Sequence, residues 1–329
     1  MPSRRLGQSI GINNIPPKIC SYSCVYCQLG RTTKCQIDRE AFYRPAGILR
    51  AVRSRVAGAN ESGNPVDFLT FVASGEPTLD SNLGAVVDLL DPLGIAVGVI
   101  SNSSMMWDAD AREDLAKADW VSLKVDAVAD STWREVNRPH KALRLRAIRE
   151  GVCEFARAFD GVLTTETMLV KGLNDDERSL KEIASFIRQL DPATAYIAVP
   201  TRPPAENRVH APDEQTLGDA YWIFRESLNH VEYLTGYEGN AFASTGNAIE
   251  DLLSITAVHP MREEAIHGFL KRAGLDWTTV DALVAERKLV ELKHGGVSFY
   301  MRRILGPRGE CIDTAGDSAS HAGRKVDRR

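Results

Sequence analysis

The amino-acid sequence predicts an α/β protein built on a parallel β-sheet, followed by a second, smaller domain. Strand-like and helix-like segments alternate along most of the chain, which is the pattern of repeated strand–helix units. One strand-like segment, residues 95–100, is a near-continuous apolar run, as expected for a strand buried on both faces of a sheet. From about residue 247 the alternation stops, and helix-like segments are followed by a hairpin pattern.

Six strand–helix units account for the first part of the chain. The strands are predicted at residues 8–15, 66–73, 95–100, 119–126, 161–170 and 193–200. The helices are predicted at residues 81–90, 108–117, 131–136, 143–159, 176–190 and 213–229. Because the carboxyl ends of parallel strands meet at one rim, the residues that follow these strands are expected to build the functional site.

The C-terminal part of the chain has a different organisation. Residues 261–273 and 276–286 are predicted helices. Residues 289–293 and 297–302 are predicted strands, joined by a turn that contains two glycines. Helices followed by a two-stranded ribbon resemble a winged-helix module.

These patterns divide the chain into three parts. We expect a core domain over residues 1–246 and a small winged-helix-like domain over residues 247–305. Residues 306–329 are polar, rich in Gly, Ser and Ala, and nearly devoid of apolar side chains, which predicts a disordered tail.

The composition is that of an ordinary soluble globular protein. The 329 residues are 43% hydrophobic and 26% charged, which excludes disorder as the main state. A net charge of −4 and a pI near 6.0 give no overall attraction for nucleic acid or an anionic membrane. Because no run of about 18 consecutive apolar residues occurs, we expect no membrane association and a cytoplasmic location.

Three cysteines, Cys20, Cys24 and Cys27, follow the first predicted strand within a few residues of one another. A closed structural metal site or an ordinary electron-transfer cluster takes four protein ligands, whereas a catalytic site leaves a position for an outside ligand. Three closely spaced thiolates therefore predict an iron–sulfur cluster with one open iron. Two alternatives are a zinc site that takes a further ligand such as Cys35, and a loop of free thiols.

The spacing Cys-x3-Cys-x2-Cys, with Tyr26 directly before the last cysteine, resembles the signature of the radical S-adenosylmethionine (SAM) superfamily. The resemblance implies a [4Fe-4S] cluster whose open iron chelates SAM, and a reductant such as flavodoxin or ferredoxin. One electron then cleaves SAM to methionine and a 5'-deoxyadenosyl radical that abstracts hydrogen from a substrate. The six strand–helix units resemble the partial (β/α)6 TIM-type barrel of these enzymes, in which the cluster loop follows the first strand.

Segments at other strand ends resemble the SAM contacts of the superfamily. Ser74, Gly75, Glu76 and Pro77 resemble the Gly-Gly-Glu-Pro motif that binds the methionine amino group, with serine in the first position. Further cofactor contacts are predicted at Tyr26, Ser101, Asn102, Lys124, Met168 and Val199. The alternatives are an ordinary turn for the Gly-Glu-Pro segment and helix capping for the polar residues after residue 100.

The sequence leaves the substrate unidentified, with RNA and a peptide both possible. Arg138 and Arg202 lie in polar loops predicted at the rim, which suits an anionic substrate. From Gly11-Ile12-Asn13-Asn14 through Val25-Tyr26-Cys27-Gln28 the chain resembles radical enzymes related to wyosine synthases, so one alternative is tRNA base modification. An alternative of another class is a regulator that binds DNA through the winged helix and senses redox state through the cluster. Cofactor motifs at several strand ends favour the enzyme.

Overall fold

The computed structural model describes residues 2–3, 5–234, 247–258 and 260–303, and the predicted tail at 306–329 lies outside them. The strands are β1 (Pro2–Ser3), β2 (Gly7–Ile12), β3 (Ile19–Cys20), β4 (Lys34–Cys35), β5 (Phe68–Phe71), β6 (Ala96–Ser101), β7 (Trp120–Lys124), β8 (Val162–Met168), β9 (Thr194–Ala198), β10 (Val231–Leu234), β11 (Met261–Arg262), β12 (Leu289–His294) and β13 (Val297–Arg302). The helices are α1 (Pro45–Glu61), α2 (Leu83–Leu90), α3 (Ala109–Leu115), α4 (Asp130–Asn137), α5 (Leu145–Ala158), α6 (Glu177–Arg188), α7 (Glu214–Ser227), α8 (Ala248–Val258), α9 (Glu263–Arg272) and α10 (Thr278–Ala285).

One eight-stranded sheet organises the first part of the chain, in the order β1-β2-β5-β6-β7-β8-β9-β10. β1 pairs antiparallel with β2, and the other strands pair parallel with their neighbours. All six predicted strands are present in the predicted order. The sheet has one parallel strand, β10, that was not predicted. β10 is four residues long and two of its side chains are exposed, so its apolar signal in the sequence is weak.

The helices begin where polar side chains complete their first turns. Asp108, Asp176 and Asp213 each accept a hydrogen bond from the backbone N–H three residues further on. This contact satisfies one of the N–H groups that have no partner inside the helix, so α3, α6 and α7 start directly after these aspartates. Apolar residues of these helices and of the sheet then form one continuous core.

Residues 247–303 build a second unit with its own apolar cluster, which includes Met261 and Phe269. Its three strands form an antiparallel sheet in the order β11-β13-β12. The turn between β12 and β13 uses Gly295 (φ 56°) and Gly296 (φ 77°), the left-handed pair that a two-residue type I′ hairpin requires. The helix predicted from residue 261 starts two residues later, because the first two residues pair with β13 instead.

Two helices of the structure were not predicted, α1 and α8. They contact each other through an ion pair between Arg55 on α1 and the buried Asp251 on α8. In the part of the chain that the structure describes, none of the helices combines the length and apolarity needed to span a bilayer.

Candidate active site

A cavity of about 360 Å³ lies inside the sheet, and all seven parallel strands contribute residues to its wall. Because every strand reaches the same cavity, the sheet curls into an open barrel around it. The predicted site residues at this cavity are Cys20, Cys24, Tyr26, Cys27, Ser74, Gly75, Glu76, Ser101, Asn102, Lys124, Met168 and Val199. The exception is Pro77, which is buried and begins a short 3-10 turn outside the wall.

Gly75 allows the chain that carries Cys20 to lie directly against the loop after β5. The backbone N–H of Glu76 donates to the carbonyl oxygen of Ile19 at 3.2 Å. A Cβ on residue 75 would stand 1.8 Å from that same carbonyl oxygen. Glycine is therefore required here for the close approach of two backbones.

Glu76 ties the end of β5 to the end of β6. Its Oε1 accepts hydrogen bonds from the backbone and hydroxyl of Thr78, at 3.1 and 2.6 Å, and from the hydroxyl of Ser101 at 2.8 Å. Its Oε2 accepts from the backbone N–H of Asn102 at 2.7 Å. Burial raises the pKa of this carboxyl, and the donors oppose the rise. Glu76 also lines the cavity, and the single donor to Oε2 leaves that oxygen a further lone pair for a ligand.

Two of the three cysteine thiols receive amide donors. Asn102 Nδ2 lies 3.3 Å from Cys20 Sγ, and Asn137 Nδ2 lies 3.5 Å from Cys24 Sγ. Burial raises the pKa of Cys20 well above its ordinary value, and burial together with the Asp126 carboxylate raises the pKa of Cys24 to about 12. Thiolates in such surroundings need directly bound positive charge, which iron supplies. The three cysteines and their donors fit an iron–sulfur cluster.

The described residues contain no group of three Cys, His, Asp or Glu side chains close enough together to ligate a single metal ion. A cluster does not require such a group, because each cysteine binds a different iron atom. Cys35, the further ligand considered for a zinc site, is exposed, and its Sγ lies 3.5 Å from the carbonyl oxygen of Ser21.

Asp126 fixes the segment that carries the three cysteines, residues 19–27 (the cysteine loop), to the ends of β7 and β8. Its Oδ2 accepts from the hydroxyl of Tyr26 and from Asn137 Nδ2, the latter at 2.7 Å, and its Oδ1 accepts from the backbone N–H of Met168 at 2.9 Å. Burial and the Asp126 carboxylate raise the pKa of Tyr26, so its hydroxyl keeps the proton that it donates. The Tyr26 ring is thereby held with Lys124 Nζ 5.2 Å from its centroid.

A buried ion network crosses the barrel interior below the cysteine loop. Glu166 accepts from Lys124 Nζ at 2.7 Å and from Arg5 Nη1 at 2.8 Å. The Arg5 guanidinium also lies 5.6 Å from the ring centroids of both Trp120 and Tyr196. Burial opposes charge on Lys124, but the carboxylates of Glu166 and Asp126 together outweigh it, and the pKa of Lys124 is raised. The network thus places two cations against the one carboxylate of Glu166 at the cavity wall.

Replacing Glu166 with glutamine is expected to lower the free energy of unfolding by about 3 kcal/mol, because Arg5 and Lys124 would lose the buried carboxylate that pairs with both of them. Burial would raise the pKa of Glu166, but Lys124 and Arg5 outweigh it and lower the pKa from 4.5 to about 2. The folded pKa lies below the unfolded value, so this stabilisation is complete above pH 4.5 and is lost as the pH falls toward 2.

Urea denaturation of the wild type and Glu166→Gln at pH 7 and at acidic pH measures this effect. The matched control is Glu182→Gln, which removes an exposed helix pair with Arg178 and should cost under about 0.5 kcal/mol. Equal stabilities of the wild type and Glu166→Gln at pH 7 contradict the account.

Several residues of the site were not assigned to it from the sequence. Arg5 and Lys18 line the cavity, and Asn137, whose loop was predicted at the rim for the substrate, bonds instead to Cys24. Arg5 and Glu166 are 161 residues apart in the chain, so their pairing has no local signal. Of the two loop arginines considered for an anionic substrate, Arg202 lines the cavity and Arg138 does not.

Comparison with known proteins identifies the family and agrees with the fold. Residues 14–184 match the Radical SAM superfamily. The chain belongs to this superfamily, a class of enzymes that use radical chemistry. It is 43% identical over 306 residues to the UPF0026 protein MJ1312 of Methanocaldococcus jannaschii, and the alignment covers 92% of this chain and 95% of that protein.

Solved structures share the fold. A radical SAM methyltransferase from Sphaerobacter thermophilus superposes with a TM-score of 0.56 at 14% identity, over 69% of this chain and 66% of that one. TYW1 with a lysine-pyruvate adduct bound superposes with a TM-score of 0.53, also at 14% identity, over 68% of this chain and 76% of that one. The likeness confirms the predicted partial barrel.

Proposed function

We propose that the protein binds a [4Fe-4S] cluster through Cys20, Cys24 and Cys27, cleaves SAM reductively and acts on its substrate by hydrogen abstraction. One observation carries the proposal: the cysteine loop and the Ser74–Gly75 loop are hydrogen-bonded together at one cavity inside the barrel. Membership of the superfamily supports the same chemistry.

When bound, the cluster supplies the electron that splits SAM into methionine and a 5'-deoxyadenosyl radical. The protein's own residues bind and orient the cluster and SAM, and they shield both from water. Asn102 and Asn137 hold two of the thiols through N–H···S hydrogen bonds. The backbone at Ser74 and Gly75 is available to the methionine amino group. Val25, within the loop itself, is fully buried and helps to exclude water.

The far side of the cavity would receive the rest of SAM. Lys124 Nζ has donors beyond the one that it gives to Glu166, and these suit the methionine carboxylate or a ribose hydroxyl. Met168 and Val199 offer apolar surface to adenine from the ends of β8 and β9, and Tyr26 offers a ring from the cysteine loop. Ser101 is bonded to Glu76, so its contribution is to hold the loop.

The substrate is proposed to be an RNA or a peptide, with tRNA base modification as the narrower alternative. The helices and the antiparallel sheet between residues 247 and 303 follow one another in an order that resembles a winged helix, and this resemblance supports an RNA or protein contact. Helix α10 carries Asp281 and follows Asp276, so it lacks the one-sided basic face that phosphate binding needs. We therefore favour a docking role for this unit. The described cysteines form no disulfide bond with one another, which suits a cytoplasmic protein.

Anaerobic reconstitution with iron and sulfide, followed by dithionite and SAM, tests the proposed function. The expected result is a brown protein that forms 5'-deoxyadenosine and methionine. A redox-sensing regulator would bind the cluster and form no 5'-deoxyadenosine, and that outcome would overturn the proposal.

A further inference from the structure

Three arginines surround one carboxylate on the outside of the cysteine loop. Arg208 Nε lies 2.9 Å from Glu206 Oε2, Arg31 Nη2 lies 3.7 Å from Glu206 Oε1, and Arg138 forms an ion pair with the same Oε1. Burial would raise the pKa of Glu206, but the arginines outweigh it and lower that pKa, so the carboxylate is ionised. Three positive charges and one negative charge give these four side chains a net charge of +2. These four residues are called the arginine cluster below.

The arginine cluster is built directly onto the cysteine loop. The backbone N–H of Glu206 donates at 3.2 Å to the carbonyl oxygen of Val25, which lies between two of the cysteines. The carbonyl oxygen of Arg138 accepts from the backbone of the same loop. The side chains of Arg31 and Arg208 are 72% and 56% exposed, whereas that of Glu206 is 10% exposed. The cluster therefore presents its positive charge to solvent next to the proposed iron ligands.

The arginine cluster is not part of the cavity wall. The cavity wall includes Gln28, Leu29 and Arg202 from the neighbouring loops, and no member of the arginine cluster is among its described residues. A substrate must enter the cavity to react, whereas an electron needs only to reach the cysteine loop. Position and charge together favour an electron carrier over a substrate as the partner of this surface.

We propose that the arginine cluster docks an acidic one-electron carrier protein of the flavodoxin or ferredoxin type. The inference rests on the proposed function. In the step, the reduced carrier loses one electron and the iron–sulfur cluster gains one, and no covalent bond is formed or broken. Complementary charge raises the rate of encounter between such partners, and the gain falls as salt is added.

The double variant Arg31→Gln/Arg208→Gln tests this docking, because it removes the two exposed charges and leaves Arg138 to neutralise Glu206. Anaerobic stopped-flow absorbance follows the reduction of the reconstituted cluster by reduced flavodoxin and, separately, by reduced ferredoxin. At low ionic strength, the carrier that reduces the wild type faster should reduce the variant about tenfold more slowly. The reduction rate of the variant should also depend less on the salt concentration. Dithionite should reduce the wild type and the variant alike.

The matched control is Arg146→Gln/Arg178→Gln, which removes the same charge from two exposed helix pairs on α5 and α6. It should be reduced as fast as the wild type. If both carriers reduce Arg31→Gln/Arg208→Gln as fast as this control, the docking proposal is wrong. A gel-shift assay with total tRNA tests whether the arginine cluster binds RNA instead of a carrier protein. Loss of tRNA binding in the variant with unchanged carrier rates would assign the surface to RNA and overturn the proposal.

The outcome is separable from that of the proposed function. Carrier-dependent reduction is read from the cluster's absorbance and needs no SAM. If the dithionite-reduced wild type forms no 5'-deoxyadenosine, the proposed function fails while the docking measurement still gives its own answer.

Discussion

Replacing Cys24 with alanine is expected to remove both the bound iron and the formation of 5'-deoxyadenosine, to background. Cys24 lies at the cavity wall, in contact with Asn137. With two cysteines left in the loop, a second iron atom has no protein ligand, in addition to the iron that binds SAM. A cluster held by only two cysteines is easily lost. Iron and sulfide analysis after anaerobic reconstitution measures the first effect, and chromatography of the SAM products measures the second.

Cys35→Ala is the control for this prediction. Cys35 is near Cys20, since β3 and β4 pair at these residues, but its side chain is exposed. We expect the iron content and the SAM cleavage of this variant to equal those of the wild type. If Cys35→Ala loses the metal and Cys24→Ala keeps it, the assignment of the ligands is wrong.

Replacing Gly75 with alanine is expected to be the most damaging change among the residues that bind no metal. The new Cβ would meet the Ile19 carbonyl oxygen at 1.8 Å and the Ile15 Cδ1 at 2.8 Å. Because the first of these atoms is backbone, β3 must move away and take Cys20 with it. We expect a loss of about 2–3 kcal/mol in the free energy of unfolding, and weaker SAM binding by the reconstituted protein.

Gly47→Ala is the matched substitution for Gly75→Ala. Gly47 lies in α1, and a Cβ there would meet nothing within 4 Å. Alanine favours a helix interior over glycine by about 0.5–1 kcal/mol, so this variant should be as stable as the wild type or slightly more stable. Urea denaturation compares the two variants, and equal stabilities would show that residue 75 is not tightly enclosed.

The sequence predicted the parallel sheet because strand-like and helix-like segments alternate along it, and it predicted the barrel because six such units resemble that of the radical SAM enzymes. It missed β10 because that strand is four residues long and half exposed. The seventh parallel strand is placed by pairing with β9, which is a tertiary contact. The C-terminal hairpin was predictable because two adjacent glycines mark a turn type that few other residues allow.

The candidate site was predictable where its residues stand in short motifs, as the three cysteines and Gly75 do. The residues that support these motifs come from distant segments. Asn137 meets Cys24 across 113 residues, and Asn102 meets Cys20 across 82. Nothing in the local sequence around an asparagine distinguishes a donor to sulfur from an asparagine that caps a helix. Sequence reasoning could name the groups at the cavity, but it could not say which hold the others in place.

Electron paramagnetic resonance of the reduced, reconstituted protein tests the central claim most directly. The claim is that three cysteines hold a cluster whose remaining iron binds SAM. It predicts the spectrum of a reduced [4Fe-4S] cluster that changes when SAM is added. A protein that takes up zinc in place of iron, or an iron spectrum that stays the same with SAM present, would contradict it.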